Sequence, residues 1–353
     1  MKTLRIATIL AATLFFVIGQ TTNALAKKEG EKVLLEKTFD VNANASLVVD
    51  HEFGKVVCSN WDKDVIAIKV TAKWKAGNES QIQKMIDKVV LDVHGDRNSV
   101  VVRCKPGHKH SRGNNSMSLN IEIQMPKSIS LELSQKFGFA FIETVDGPAV
   151  ISSEYGSLQI GELNNTENKI NVEFGDGSVK HLTAGNIKIS YSEFKLETAG
   201  NISLRSEFSS ITISQKAKSL SVELEGGNLT VNKVANIKLE AEYSNTEIDK
   251  LTRSADIETA YGGVDINYVS PDFTTISIEN EFGSVDLQID ESASYNFQAE
   301  SEYGEIKFSE KNADLSYRKK TSSGSYFKGV IGKGDPQSEV NIKSSYGSVS
   351  ISN

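Results

Sequence analysis

The sequence holds few of the residues that usually carry chemistry. It has 2 cysteines, 5 histidines and 2 tryptophans among 353 residues, and no Cys-x-x-Cys spacing that would hold zinc. No Gly-x-Ser-x-Gly elbow, His-Glu-x-x-His helix, phosphate-binding loop or Gly-rich calcium nonapeptide occurs. Positive charge is short, with 39 Lys+Arg against 46 Asp+Glu and a formal charge of −7. The field that holds nucleic-acid phosphates is therefore missing, and nucleic acid is not expected as a partner. Only 5 prolines occur, which leaves backbone N–H groups free for β-ladders. A hydrophobic share of 39% suffices for a core and argues against a disordered chain.

One long apolar run exists, and it is at the start. Residues 1–26 read as a secretory signal peptide: Lys2 and Arg5, an apolar run over 6–18, then Ala24-Leu25-Ala26 as a small-x-small cleavage site. The expectation is an exported protein, periplasmic, cell-surface or secreted, with no membrane span after signal cleavage. An uncleaved anchor is the alternative, but the run falls short of the about 20 apolar residues that a membrane helix needs. In an oxidising compartment Cys58 and Cys104 can form a disulfide. Equally, each sits in a β-type run, Val56-Val57-Cys58 and Val101-Val102-Arg103-Cys104, where a thiol packs as a small hydrophobe.

Self-similarity decides the architecture. Glu154-Tyr155-Gly156-Ser157-Leu158-Gln159-Ile160 recurs from Glu281, from Glu302 and from Ser345. Aligned on the aromatic, further copies fall at 137, 174, 191, 208, 226, 243, 261 and 323, with Gly226 and Ser323 replacing the ring. Before each ring the apolar period is 2, as in Ile237, Leu239, Ala241; after it the inward set restarts three residues on, as at Val264 and Ile266. An odd step between two even-period runs is a corner, and the small Gly-Ser pair beside the ring is read as its hinge. The prediction is an all-β fold, a β-solenoid (β-helix-like) of about 19-residue coils sharing one core. An antiparallel meander is the alternative, but most units lack its Asn-Gly or Asp-Gly turns. By parity the rings point inward, so truncating Tyr243 to Ala would cost about 3 to 5 kcal/mol.

The division expected is a signal peptide over 1–26, a β-rich capping region over 27–130 and the repeat domain over 131–353. Within the cap, Asn78 and the stripe Ile82, Met85, Ile86, Val89 predict one short helix near 78–90. The loop 105–115 carries His108, Lys109, His110 and Arg112. It is a weak candidate for metal or anionic-glycan contact, or else a solvated turn. At the other end, the run from Val349 to Asn353 has no visible cap, and self-association through a C-terminal strand edge is expected.

The residue before the ring is glutamate in eight units, among them Glu154, Glu173, Glu207, Glu242, Glu281 and Glu302. Stacked, they form an acidic row. That row is the candidate binding feature, for divalent cations or a basic partner, or simply a solubilising face compensated by Lys188, Lys195, Lys238 and Lys307. No cluster of acids, bases or nucleophiles points to catalysis, so no enzyme and no cofactor are expected.

The recurrent Glu-Tyr/Phe-Gly-Ser-Val-x-Ile unit, with Tyr155-Gly156, Tyr303-Gly304 and Tyr346-Gly347, resembles a bacterial family of candidate adhesins, exported β-strand-repeat proteins of unknown function. It is similar also to head domains of autotransporter adhesins. The likeness covers roughly residues 40–353 and rests on structural residues, so it carries over no binding residue. It implies attachment to a protein or glycan at the cell envelope. A non-catalytic adhesin-like or scaffold role is thus expected. A polysaccharide-active β-helix enzyme and an envelope sensor or accessory protein are the alternatives.

Overall fold

A computed structural model describes residues 28–76, 78–107 and 116–352. The candidate signal segment and the loop histidines His108 and His110 lie outside them. The described fold is all-β with one α-helix, Glu79–Ile86. Asn78 caps that helix by accepting the Gln81 N–H at 2.9 Å, and Ile82 is its buried residue. No helix among the described residues is long and apolar enough to cross a membrane.

Successive repeats pair in parallel and in register. Leu131 lies opposite Ala149, Asn168 opposite Gly185, Gly185 opposite Ile202 and Ser254 opposite Thr275. Each repeat contributes one strand before its ring and one after it, so the rungs make two parallel ladders that meet at a corner. Side chains alternate as a strand requires: the inward positions are almost all Val, Ile, Leu and Ala, which form one continuous core from Val41 to Ile351. The large buried aromatics are few and local, Phe194, Phe273, Tyr295, Phe297 and Phe327.

The first rung, Ser46–Asn60, pairs in parallel with Ser130–Val145 on one side and with Ser99–Lys105 and Ser116–Met125 on the other. Antiparallel strands then close that end. Val90–Gly95 covers Ser99–Lys105, while Val65–Ala76 and Lys28–Asp40 follow Ser116–Met125.

At the other end the expected open C-terminal edge is absent. Ser338–Ser345 is hydrogen-bonded on both sides, to Thr275–Glu281 and to Tyr295–Glu302. Ser348–Ser352 likewise lies between Ser284–Ile289 and Ile306–Phe308. The last stretch of chain is therefore an internal rung, and its ladder groups are already used. Nor is the segment around Ser323 a further repeat. Ala313–Lys320 and Gly324–Ile331 form an antiparallel hairpin that covers Tyr295–Glu302. Its outer strand is mostly exposed and carries Arg318, Lys319 and Lys320, charges of the kind that discourage edge pairing.

Candidate functional site

The ring positions are where the structure departs most from the sequence reading. Among the described residues eleven non-glycine residues have positive φ, and every one is a ring of the repeat: Phe53, Phe137, Tyr155, Phe174, Tyr191, Phe208, Tyr243, Tyr261, Phe282, Tyr303 and Tyr346, with φ between 46° and 60°. A left-handed residue breaks strand parity and turns its side chain out of the core. The corner is thus made by the ring residue itself. Its N–H is held by the next rung, as where Tyr155 N–H donates to Glu173 O at 3.0 Å and Tyr191 N–H to Glu207 O at 3.0 Å. The neighbouring glycine has another task. A Cβ on Gly283 would lie 1.7 Å from the Gly262 carbonyl oxygen, so close stacking of rungs excludes a side chain there.

The rings stand on the outside and stack face to face; ten are about half-exposed, while Phe53 at the start of the series is partly buried. Phe53, Phe137, Tyr155, Phe174, Tyr191 and Phe208 make one run with centroids 4.7 to 5.5 Å apart. Tyr243, Tyr261, Phe282, Tyr346 and Tyr303 make a second at 4.8 to 5.0 Å. These spacings match the distance between strands. The two runs are separated at Gly226, the one rung of the series without a ring.

Inside each corner the residue two before the ring is commonly polar and buried: His51, Gln135, Ser153, Ser206, Thr259, Asn280, Ser301, Ser344. Two of them bridge the bend, Asn280 Nδ2 donating to Gly283 O at 2.9 Å and Ser301 Oγ to Gly304 O at 3.1 Å. In the first rung His51 fills this place, with Nδ1 2.7 Å from Gln135 Oε1 and Nε2 2.7 Å from Leu119 O. Burial holds its imidazole below the ordinary pKa, against the opposing pull of those hydrogen bonds and of Asp50 and Glu52.

The predicted acidic row exists beside the rings. Glu154 and Glu173 are partly buried, while Glu207, Glu225, Glu242, Glu281 and Glu302 are exposed. Lys136 pairs with Glu154 at 2.5 Å and Lys105 with Glu52 at 3.5 Å. Three of the four lysines expected to compensate the row go elsewhere, Lys195 to Glu193, Lys238 to Glu240 and Lys307 to Glu305. Among the described residues no cation pairs with Glu207, Glu225, Glu242 or Glu281. A second acidic column two residues earlier is partly neutralised, Glu223 by Arg205, Glu240 by Lys238 and Glu279 by Lys343. Both columns line a trough of about 730 Å³. Among the described residues no three His, Cys, Asp or Glu side chains converge as metal ligands.

The two thiols are free and buried. Cys104 lies opposite His51, seven positions along the strand from Cys58, which is too far apart for a disulfide. Burial pushes both thiols up to about 12, as expected of inert packing groups.

Sequence reasoning missed the vacancy at Gly226 as a feature and the buried polar residue two before the ring. Both have a signal in the repeat, a missing ring in a regular series and a recurrent Ser, Thr or Asn among apolar positions.

Residues 183–352 match the Toastrack DUF4097 family. That segment therefore bears out the resemblance to a family of unknown function that the repeats carry. No curated protein matches the sequence. Among solved structures, the chain is similar to a candidate cell adhesion protein from Clostridium sporogenes, at 15% identity, covering 92% of this chain and 99% of that one, with a TM-score of 0.18. It is similar to a candidate adhesin from Parabacteroides distasonis at 12% identity, covering 70% and 92%, with a TM-score of 0.35. A candidate lipid binding protein from Parabacteroides distasonis aligns at 11% identity over 90% and 96%, with a TM-score of 0.27. At these identities and scores the likenesses assign no activity.

Proposed function

We propose that the chain is an exported, non-catalytic binding scaffold: a β-solenoid that displays its aromatic ladder and the adjoining acidic trough to a partner at the cell envelope. The observation that carries this reading is the outward ladder. Holding a non-glycine residue in the left-handed region costs roughly 1–2 kcal/mol, and a stacked aromatic pair returns roughly 0.5–1.5 kcal/mol. The two nearly cancel, so the ladder adds little to stability, and ten of its rings are kept exposed where a partner can reach them. Contiguous exposed apolar surface rimmed by polar groups is the usual mark of an interaction site. The parallel, in-register rungs support the solenoid reading, and the apolar start of the sequence supports export. An acidic face beside the rings favours a protein partner with basic groups over a neutral glycan.

The test compares the parent with a variant carrying Tyr155→Ser and Phe174→Ser, both passed over envelope extracts and a glycan array. Retention of a partner by the parent and its loss by the equally folded variant is the expected result. Equal retention by both would remove the ladder from the function.

A further inference from the structure

The vacancy at Gly226 makes the ladder unequal along its length. Within the runs, phenylalanines with a ring on each face are 41–42% exposed and tyrosines 46–52%. The two rings bordering the vacancy are more open, Phe208 at 57% and Tyr243 at 65%, as is the terminal ring Tyr303 at 63%. Stacked rings offer only their edges, so the faces at the vacancy are the ones inside the ladder that another planar group can cover. Two rungs of strand spacing separate Phe208 from Tyr243, roughly 9.6 Å, and a planar group held between two rings needs roughly 7 Å. Phe208 tilts by 19° from Tyr191 and leans over Gly226, within 2.8 Å of where a Cβ would be, and Gly226 itself is buried, so the part of the gap that stays open lies between the outer faces of Phe208 and Tyr243.

Charge selects the occupant. The residues immediately before the three positions are Glu207, Glu225 and Glu242, all exposed and all without a cation partner among the described residues. A planar, positively charged group that stacks on aromatic faces and donates to carboxylates in pairs is a guanidinium. We infer that the gap between Phe208 and Tyr243 is an arginine-binding slot, in which a basic protein partner inserts one arginine side chain as the missing plane of the ladder. This rests on the scaffold reading above and names the partner's chemistry at one rung.

The full chain is titrated with a hexa-arginine peptide and, separately, a hexa-lysine peptide, by calorimetry at two salt concentrations. Lysine supplies the same charge without the plane. The arginine peptide should bind about tenfold more tightly, and the advantage should persist at the higher salt. Gly226→Tyr places a ring in the slot at a backbone that is already left-handed, with φ +72°, and its Cβ, 2.8 Å from Phe208 Cδ1, pushes the Phe208 ring aside. It should reduce arginine binding to the lysine level. Phe208→Ser removes one wall and should do the same, which covers the case where Gly226→Tyr misfolds. Equal affinity for the two peptides, or arginine binding unchanged in either folded variant, overturns the slot. If the slot variants bind as the parent does while Tyr155→Ser with Phe174→Ser loses the envelope partner, the slot fails and the scaffold stands. Discrimination at the slot with no effect of those distant ring changes gives the reverse.

Discussion

Tyr346 stacks on Phe282 at 4.8 Å and 7°, although 63 residues of chain lie between them. The ring that follows Phe282 in the sequence, Tyr303, takes the place beyond Tyr346. The last rung is thus inserted between two earlier ones, and closure of this end depends on the segment farthest along the chain.

Deleting residues 338–353 should therefore expose both neighbouring ladders. Val340, Ile342, Val349 and Ile351 would leave the core, each a loss of about 1.5–3 kcal/mol of burial. The truncated chain should melt well below the parent and self-associate through its new strand edges. Calorimetry and light scattering read both effects. An unchanged melting temperature would place those strands at the surface.

Ring truncation should be mild, in contrast to the 3 to 5 kcal/mol that the strand parity suggests for Tyr243. With one stacked neighbour and most of its surface open, Tyr243→Ala should cost about 1 kcal/mol. Phe194→Ala, in the core, should cost about 3–5 kcal/mol. Because Tyr243 has φ +51°, Tyr243→Gly should be no worse than Tyr243→Ala, whereas glycine in an ordinary strand is worse by roughly 0.5–1 kcal/mol. Urea denaturation of the three variants decides the order.

His51 makes stability depend on pH. Its folded pKa lies below the ordinary value, so the unfolded chain binds the proton more readily. Stability should hold above pH of about 6.5 and fall as pH drops from there toward the folded pKa. His51→Gln should flatten that part of the profile, measured as urea midpoints between pH 5 and 7. A parent profile flat over the same range would contradict the burial of the imidazole.

Both thiols should resist a disulfide-exchange reagent in the native protein and react fully once it is unfolded. With each pushed up to about 12, little thiolate forms near neutral pH. Fast native labelling of Cys58 or Cys104 would show that its strand opens.

The repeat, its period of rungs and the aliphatic core were legible because strand alternation writes burial directly into the chain, as at Ile237, Leu239 and Ala241. The orientation of the rings was not. Parity carries a side chain inward only while φ stays in the β region, and a left-handed residue at Tyr243 or Tyr155 reverses it without changing the spacing. The odd step from Ala241 across the corner was visible, but the Gly-Ser pair offered an easier explanation than a strained aromatic. The acidic row was legible as a row. Its neutralisation was not, because Lys195 and Lys238 reach neighbours on their own strand, and sequence spacing does not say which. The inserted last rung left no local trace, since Tyr346 looks like any other copy.

Nitration of tyrosine in the native protein, mapped by mass spectrometry, tests the outward ladder most directly. Tyr155, Tyr191, Tyr243, Tyr261, Tyr303 and Tyr346 should be modified while Tyr295, fully buried in the core, stays intact until the chain is unfolded. Ladder tyrosines as protected as Tyr295 would put the rings inside and remove the surface on which the binding role depends.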